Sequence, residues 1–246
     1  MFNSLEHCQS PLLQDDTSLL HGFFGKSDGK IADDDPDLFA AQSEYVAKQM
    51  HVPTERLIFL HQVHSAKVRP VGAKWAQQPA RADGMVTDRP GLALAIKTAD
   101  CAPVLLADVQ AGVIGAAHAG WRGALAGILQ QTVLHMTLLG AQRSRIIAAI
   151  GPCIAQESYE VGEEFAEKFL QQSVFNAQFF LQASPPKLQF DLAGFCEHQL
   201  REARIKECHV IPIDTFTEKN RYFSYRRALQ DGESGYGRNI SVLCLP

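Results

Sequence analysis

The sequence predicts an α+β fold, a single domain over residues 1–246 in which mixed β-sheets pack against helices. Three observations carry this. Short apolar runs follow one another closely at LALAIK, PVLLAD and VIGAAHA, between residues 91 and 119. Helical periodicities interrupt the apolar runs at irregular intervals, whereas a doubly wound nucleotide-binding fold would alternate strand and helix regularly. The one Pro-rich gap, residues 183–187, is too short for an interdomain linker, and mixed folds reach 246 residues as one unit.

Taken in order, Asp35-Pro36 supplies an N-cap and first-turn proline for a helix over 37–50, where Leu38, Phe39, Ala41, Tyr45, Val46 and Met50 make an apolar stripe. RLIFL (56–60) reads as a strand. The three runs between 91 and 119 read as successive buried strands, broken at Thr98-Ala99-Asp100-Cys101 and at Gln110-Ala111-Gly112. Leu125, Ile128, Leu129, Val133, Met136 and Leu139 recur at helical spacing and Gly140 stops them, so a helix begins just after Gly120-Trp121-Arg122-Gly123. RIIAAI (145–150) is a further buried strand, YEVGEEFAEKFLQQ is helical, and Asp191 caps a helix ending near Arg204. HVIPI and NISVLCL complete the strands.

Composition narrows the function. Hydrophobic residues at 46% and charged residues at 20% suit a folded globular chain rather than a disordered one. The 23 Lys and Arg against 27 Asp and Glu give a net charge of -4 without a basic cluster, which argues against a nucleic-acid partner. The first residues lack a basic stretch followed by an apolar one, and no run approaches 18 apolar residues, so a cytoplasmic protein without a membrane partner is expected. Six cysteines at 8, 101, 153, 196, 208 and 244 form no Cys-x-x-Cys pair or disulfide framework, which fits reduced thiols.

Three segments carry residues suited to chemistry. His118, in AAHAGWRG, ends an apolar strand beside small residues and a helix start whose free amides, with Arg122, favour an anion. Standing alone it could equally be a core histidine bonded to a carbonyl. Cys101 follows Asp100 in a break between two strands; a buried structural thiol is the common case, but a neighbouring carboxylate needs a partner or a task. In HQVHS, a strand would point His61 and His64 to opposite faces and a helix would align them, and local sequence does not choose between the two histidines. Two histidines and one cysteine from separate segments match a catalytic zinc site with its fourth position open to water.

HQVHS, ADGMVTD (82–88), TADCAPVLLAD (98–108), HAGWRGALAGI (118–128), IGPCIAQESYEVG (150–162) and FSYRR (223–227) occur in one order. Together they resemble the laccase-domain, or multicopper polyphenol oxidase-like, family, over about residues 55 to 245. The resemblance implies a layered αββα-type sandwich and a metal site of His64, Cys101 and His118. It implies a zinc-dependent enzyme acting on a purine nucleoside and phosphate: phosphorolysis of adenosine, inosine, guanosine or methylthioadenosine, and deamination of adenosine. Within that reading Asp100 is a candidate proton carrier, with His64, Cys101 and His118 catalytic beside it, and Arg122, Arg226 and Arg227 are candidates for substrate or phosphate. The chain departs from the family pattern in a short GKSDGKIADDD stretch (25–35), in Gln42-Ser43 where Asn-Arg is common, and in Phe216-Thr217 where Cys-Thr is expected.

Copper laccase chemistry is set aside because nine histidines include no His-x-His pair for a trinuclear cluster, although adventitious copper could occupy the trio. A metal-free cysteine hydrolase or deamidase, with Cys101 as nucleophile and His118 as base, is the main alternative; a peptidoglycan-precursor editing hydrolase falls in the same class. A binding protein with a vestigial site is the third.

Overall fold

In the computed structural model, which describes residues 7–14, 18–26, 36–72 and 80–246, the apolar runs sort into two large mixed sheets and one small antiparallel one. The first has five strands in the order β1 (His7–Cys8), β2 (Leu20–Phe24), β14 (Asn239–Cys244), β6 (Ala93–Thr98) and β3 (Leu57–Ile58), antiparallel except where β3 meets β6. The second has six, in the order β13 (Glu207–Val210), β9 (Ile147–Ile150), β7 (Ala102–Asp108), β8 (Val113–Ala119), β5 (Gly84–Thr87) and β4 (Val68–Pro70), with a parallel pair at each edge. The third is β10 (Glu160–Val161), β12 (Leu188–Phe190) and β11 (Phe180–Gln182). The α-helices are α1 (Pro11–Gln14), α2 (Pro36–Gln49), α3 (Trp121–Leu125), α4 (Ile128–Leu138), α5 (Glu163–Leu170), α6 (Leu192–Glu202) and α7 (Tyr225–Gln230).

The two large sheets face each other. Phe23, Leu94, Ile96 and Leu243 of one share a buried cluster with Leu105, Ile114, Ala116 and Ala149 of the other. The outer face of the six-stranded sheet, with Val104, Leu106, Ala117 and Ile150, is covered by Ile128, Leu129 and Val133 of α4 and Phe195 and Leu200 of α6. Val46 and Ala47 of α2, with Met50 just past its end, cover the outer face of the five-stranded sheet at Ala93, Ala95 and Val242. The layers therefore run α, β, β, α, as expected. Both faces of the central strands are buried, which is why β6, β7 and β8 read as continuous apolar runs instead of alternating ones.

Several elements differ from their sequence reading. The three runs between 91 and 119 do not share a sheet: β6 belongs to the five-stranded sheet, and the chain crosses to the six-stranded one at Ala99-Asp100-Cys101 before turning back on itself as the β7–β8 hairpin. RLIFL yields only the two-residue β3, entered from a 3-10 turn at Thr54–Arg56, and HQVHS lies beyond the strand. The helix expected after Gly123 starts inside the motif, at Trp121, and Gly127 at φ +90° separates α3 from α4. Glu160–Val161 is a strand, and α5 starts only after Gly162. Asp191 does cap α6, its Oδ1 accepting from the Gly194 amide at 2.8 Å. α2 forms as read, although its expected cap, Asp35, lies outside the described residues. The six cysteines are free thiols, and no helix among the described residues is long and apolar enough to cross a membrane.

The close approach of the sheets depends on Gly151, at the end of β9. A Cβ there would lie 2.1 Å from Phe23 Cδ1, a ring that is 1% exposed. Gly151→Ala is expected to cost about 1–3 kcal/mol by overpacking, and Phe23→Leu to recover part of it. Urea denaturation of both single variants and the double variant checks this; additive losses would show that the two positions do not meet.

Candidate metal centre

The β7–β8 register sets the positions of Cys101 and His118. Pro103 pairs with His118 and Ala102 with Ala119, so Cys101 and Gly120 stand side by side one step beyond the hairpin's open end. Asp100 reaches this point at φ +81°, a left-handed conformation that Asp tolerates better than most residues. His64 arrives from the loop after β3, itself at φ +59°.

That loop is shaped by Asp83, which heads β5 and is fully buried. Its carboxylate accepts hydrogen bonds from the amides of Val63 (3.0 Å), His64 (2.8 Å) and Ser65 (2.6 Å) and from the Ser65 hydroxyl (2.7 Å). It also receives His118 Nδ1 at 2.9 Å, leaving Nε2 of that ring for a ligand. Burial pushes the Asp83 carboxyl up, but the His118 ring and the Ser65 donors outweigh it and hold it at about 2.

The three ligand atoms of His64, Cys101 and His118 lie within 4.8 Å of one another, with Cys101 Sγ 3.8 Å from His64 Nε2. The imidazoles cross at 72° with centroids 4.7 Å apart. Tetrahedral zinc, with bonds of about 2.0–2.3 Å, holds its donors roughly 3.3–3.8 Å apart, so a small closure brings this set onto a metal. The local chemistry agrees. Burial raises the Cys101 thiol, yet His118 and His64 bring it well below the usual thiol range; burial lowers His118, yet Cys101 and Asp83 bring it well above the usual imidazole range. His118 is buried, Cys101 half-buried and His64 exposed, so the trio is reachable from one side. Gly120 keeps it uncrowded: a Cβ there would lie 2.8 Å from His64 Cδ2 and 2.9 Å from Cys101 Sγ. This donor set fits a metal ion.

Two cavities meet at the trio, both lined by His64, Ala99, Cys101, Arg122 and Tyr225. One, of about 410 Å³, adds Trp121, Tyr159, Phe165 and apolar neighbours. The other, of about 590 Å³, adds His61, Lys97, Thr98, Tyr236 and Arg238. Of the sequence candidates, Arg122 stacks on Trp121 at 4.4 Å and borders both cavities. Arg226 borders the aromatic cavity, with Nη1 donating to the Glu160 carbonyl at 3.0 Å. Arg227 borders neither; its guanidinium donates to the carbonyls of Thr215, Phe216 and Tyr222 at 2.7–2.8 Å. Asp100 accepts from Thr215 Oγ1 (2.7 Å), Ser224 Oγ (3.0 Å) and the Arg226 amide (2.7 Å). Burial raises its carboxyl despite these donors. Sequence reasoning gave no role to Asp83. The signal was a carboxylate opening the buried run GMVT, where an unpaired charge would be costly.

Gly120→Ala is expected to weaken metal binding at least about tenfold while leaving the melting temperature nearly unchanged, since φ −71° and ψ 161° suit alanine and only the ligands are displaced. Competitive zinc titration with a chromophoric chelator measures the first, and a thermal melt the second.

Residues 26–246 match the family model described as multi-copper polyphenol oxidoreductase laccase. The chain is 38% identical over 204 residues to a purine nucleoside phosphorylase of Rickettsia conorii, an alignment covering 81% of this chain and 83% of the relative. It is 40% identical over 215 residues to one of Deinococcus radiodurans, covering 87% and 79%. Its fold superposes with a TM-score of 0.85 on the crystal structure of a Neisseria meningitidis protein, at 27% identity over 99% of both chains. YlmD from Geobacillus stearothermophilus gives the same score at 26% identity, over 99% of this chain and 98% of the other. The chain belongs to the multi-copper polyphenol oxidoreductase laccase family.

Proposed function

We propose that this chain is a zinc-dependent purine nucleoside enzyme that phosphorolyses adenosine, inosine, guanosine or methylthioadenosine and also deaminates adenosine. The observation that carries the reading is the placement of the His64, Cys101 and His118 trio at the junction of two cavities of unlike lining. The purine nucleoside phosphorylases among its relatives supply the substrate class. A site for two substrates needs two compartments and one point where they meet.

When bound, zinc supplies a Lewis acid at that point. The chain's own residues do the rest. Trp121, Tyr159 and Phe165 offer apolar, stackable surface to a purine. Arg122 holds positive charge on the border of both cavities, where a phosphate or a developing negative charge would lie. Asp83 fixes the orientation of His118 and the loop carrying His64. Asp100 has three protein donors, so in this reading it positions Cys101 against Thr215 and the FSYRR segment, in place of the proton-carrying role suggested by its sequence position.

The Cys101, His118 and Asp83 arrangement also favours one other reading, a metal-free cysteine hydrolase or deamidase. The two readings separate on metal content. A nucleoside panel, assayed with and without phosphate, is expected to show phosphate-dependent base release and phosphate-independent adenosine deamination, both falling more than about a hundredfold in Cys101→Ala and on zinc removal. Equal turnover by Cys101→Ala would remove the trio from the reaction. Activity untouched by chelators in a zinc-free preparation would select the cysteine reading.

A further inference from the structure

We propose that Glu164 is a specificity-determining residue of the aromatic cavity: its carboxylate reads the edge of the seated purine and favours guanine, with two adjacent N–H donors, over adenine. The proposal rests on the nucleoside reading above, and it concerns the choice of base and not the reaction at the sugar.

Three carboxylates line this cavity, those of Asp100, Glu160 and Glu164, and two of them are already committed. Asp100 takes its three donors from Thr215, Ser224 and the Arg226 amide. Glu160 is paired through Oε1 with Lys187 Nζ at 3.1 Å. The Glu164 carboxylate has no hydrogen-bond or ion-pair partner among the described residues; Lys168 Nζ donates to its main-chain carbonyl instead, at 2.6 Å.

The local backbone leaves room for that carboxylate. Gly162 has φ −86° and ψ 168°, an extended conformation open to any residue, so the backbone does not demand glycine there. Space does. A Cβ at Gly162 would lie 2.6 Å from Glu164 Oε1 and closer still to Oε2. The carboxylate therefore lies over Gly162, and both residues are on the cavity wall. Phe165, next in α5, packs against Trp121 with ring centres 4.8 Å apart. An apolar surface for the face of a purine and an acceptor for its edge thus line one compartment.

The chemistry of a carboxylate sets the preference. When ionised it can only accept. Guanine presents N1–H and a 2-amino N–H side by side, and two parallel hydrogen bonds match the two carboxylate oxygens. Hypoxanthine presents N1–H alone. Adenine presents N6–H beside the N1 lone pair, so one oxygen is paired and the other meets a second acceptor. Glu164 is exposed in the free protein. A seated base takes water away from it, and a mismatch then costs more than it would in solvent. The expected order of preference is guanosine, inosine, adenosine.

Two measurements on the zinc-loaded protein test this: initial rates of base release from the three nucleosides with phosphate, and calorimetric binding of hypoxanthine and adenine without it. In the wild type, kcat/KM for guanosine is expected to exceed that for adenosine at least about tenfold, and hypoxanthine to bind more tightly than adenine. Glu164→Gln, whose amide can donate to adenine N1 while accepting from N6, is expected to lower the guanosine-to-adenosine ratio at least about tenfold. Gly162→Ala keeps the charge but displaces the carboxylate, and is expected to lower the ratio in the same direction. Glu160→Gln, at the carboxylate already paired with Lys187, is expected to change it by less than about twofold. The proposal is overturned if the wild type does not favour guanosine, if Glu164→Gln leaves the ratio unchanged, or if both substrates lose activity equally. A wild type that releases no base, yet binds hypoxanthine over adenine and loses that preference in Glu164→Gln, would sink the nucleoside reading and leave the base preference standing. A wild type that neither releases base nor binds either base sinks both.

Discussion

The site hangs on one buried carboxylate. Asp83 draws three successive amides, one hydroxyl and the His118 ring onto its two oxygens at 2.6–3.0 Å. A buried charge is tolerable only when such donors surround it, and removing one partner of a buried ionic set costs about 3–5 kcal/mol because the others are left without compensation. The same contacts do two geometric jobs. They wrap the 63–65 loop so that His64 reaches inward at φ +59°, and they fix which nitrogen of His118 faces the trio. A loop that would otherwise be free to choose its conformation becomes a ligand arm.

A second buried carboxylate holds the other side. The chain changes sheets between β6 and β7, and Asp100, at the crossing, accepts from Thr215, Ser224 and the Arg226 amide. These donors lie more than a hundred residues downstream, so Cys101 is positioned by the C-terminal segments as much as by its own strand. Asp83 and Asp100 thus bracket the trio, one orienting the histidines and the other the cysteine. Two cavities of unlike lining meet at the trio so bracketed.

The layered architecture was readable because burial on both faces leaves a plain mark, and LALAIK, PVLLAD and VIGAAHA each became a strand. Their division between two sheets left no mark, since the apolar texture of a strand is the same in either one. His118 stood out because it ends such a run, and Cys101 because it lies in the break between two of them. HQVHS did not resolve on periodicity, as the segment is neither strand nor helix; its shape comes from Asp83, about twenty residues away. Resemblance, and not local physics, chose His64 over His61. In the structure His64 groups with Cys101 and His118, and His61 lines the neighbouring cavity. FSYRR offered two arginines with nothing to separate them, and only tertiary contacts show that Arg227 clamps main-chain carbonyls while Arg226 borders a cavity.

Asp83, and not the His64, Cys101 and His118 trio alone, shapes the candidate metal centre. Zinc affinity of Asp83→Asn, measured by competition with a chromophoric chelator on protein shown to be folded by circular dichroism, tests this most directly. Asparagine keeps the size of the side chain but loses the charge that His118 and the loop amides converge on. A loss of about 10–100-fold in affinity is expected. A folded Asp83→Asn protein that binds zinc as tightly as the wild type would contradict it.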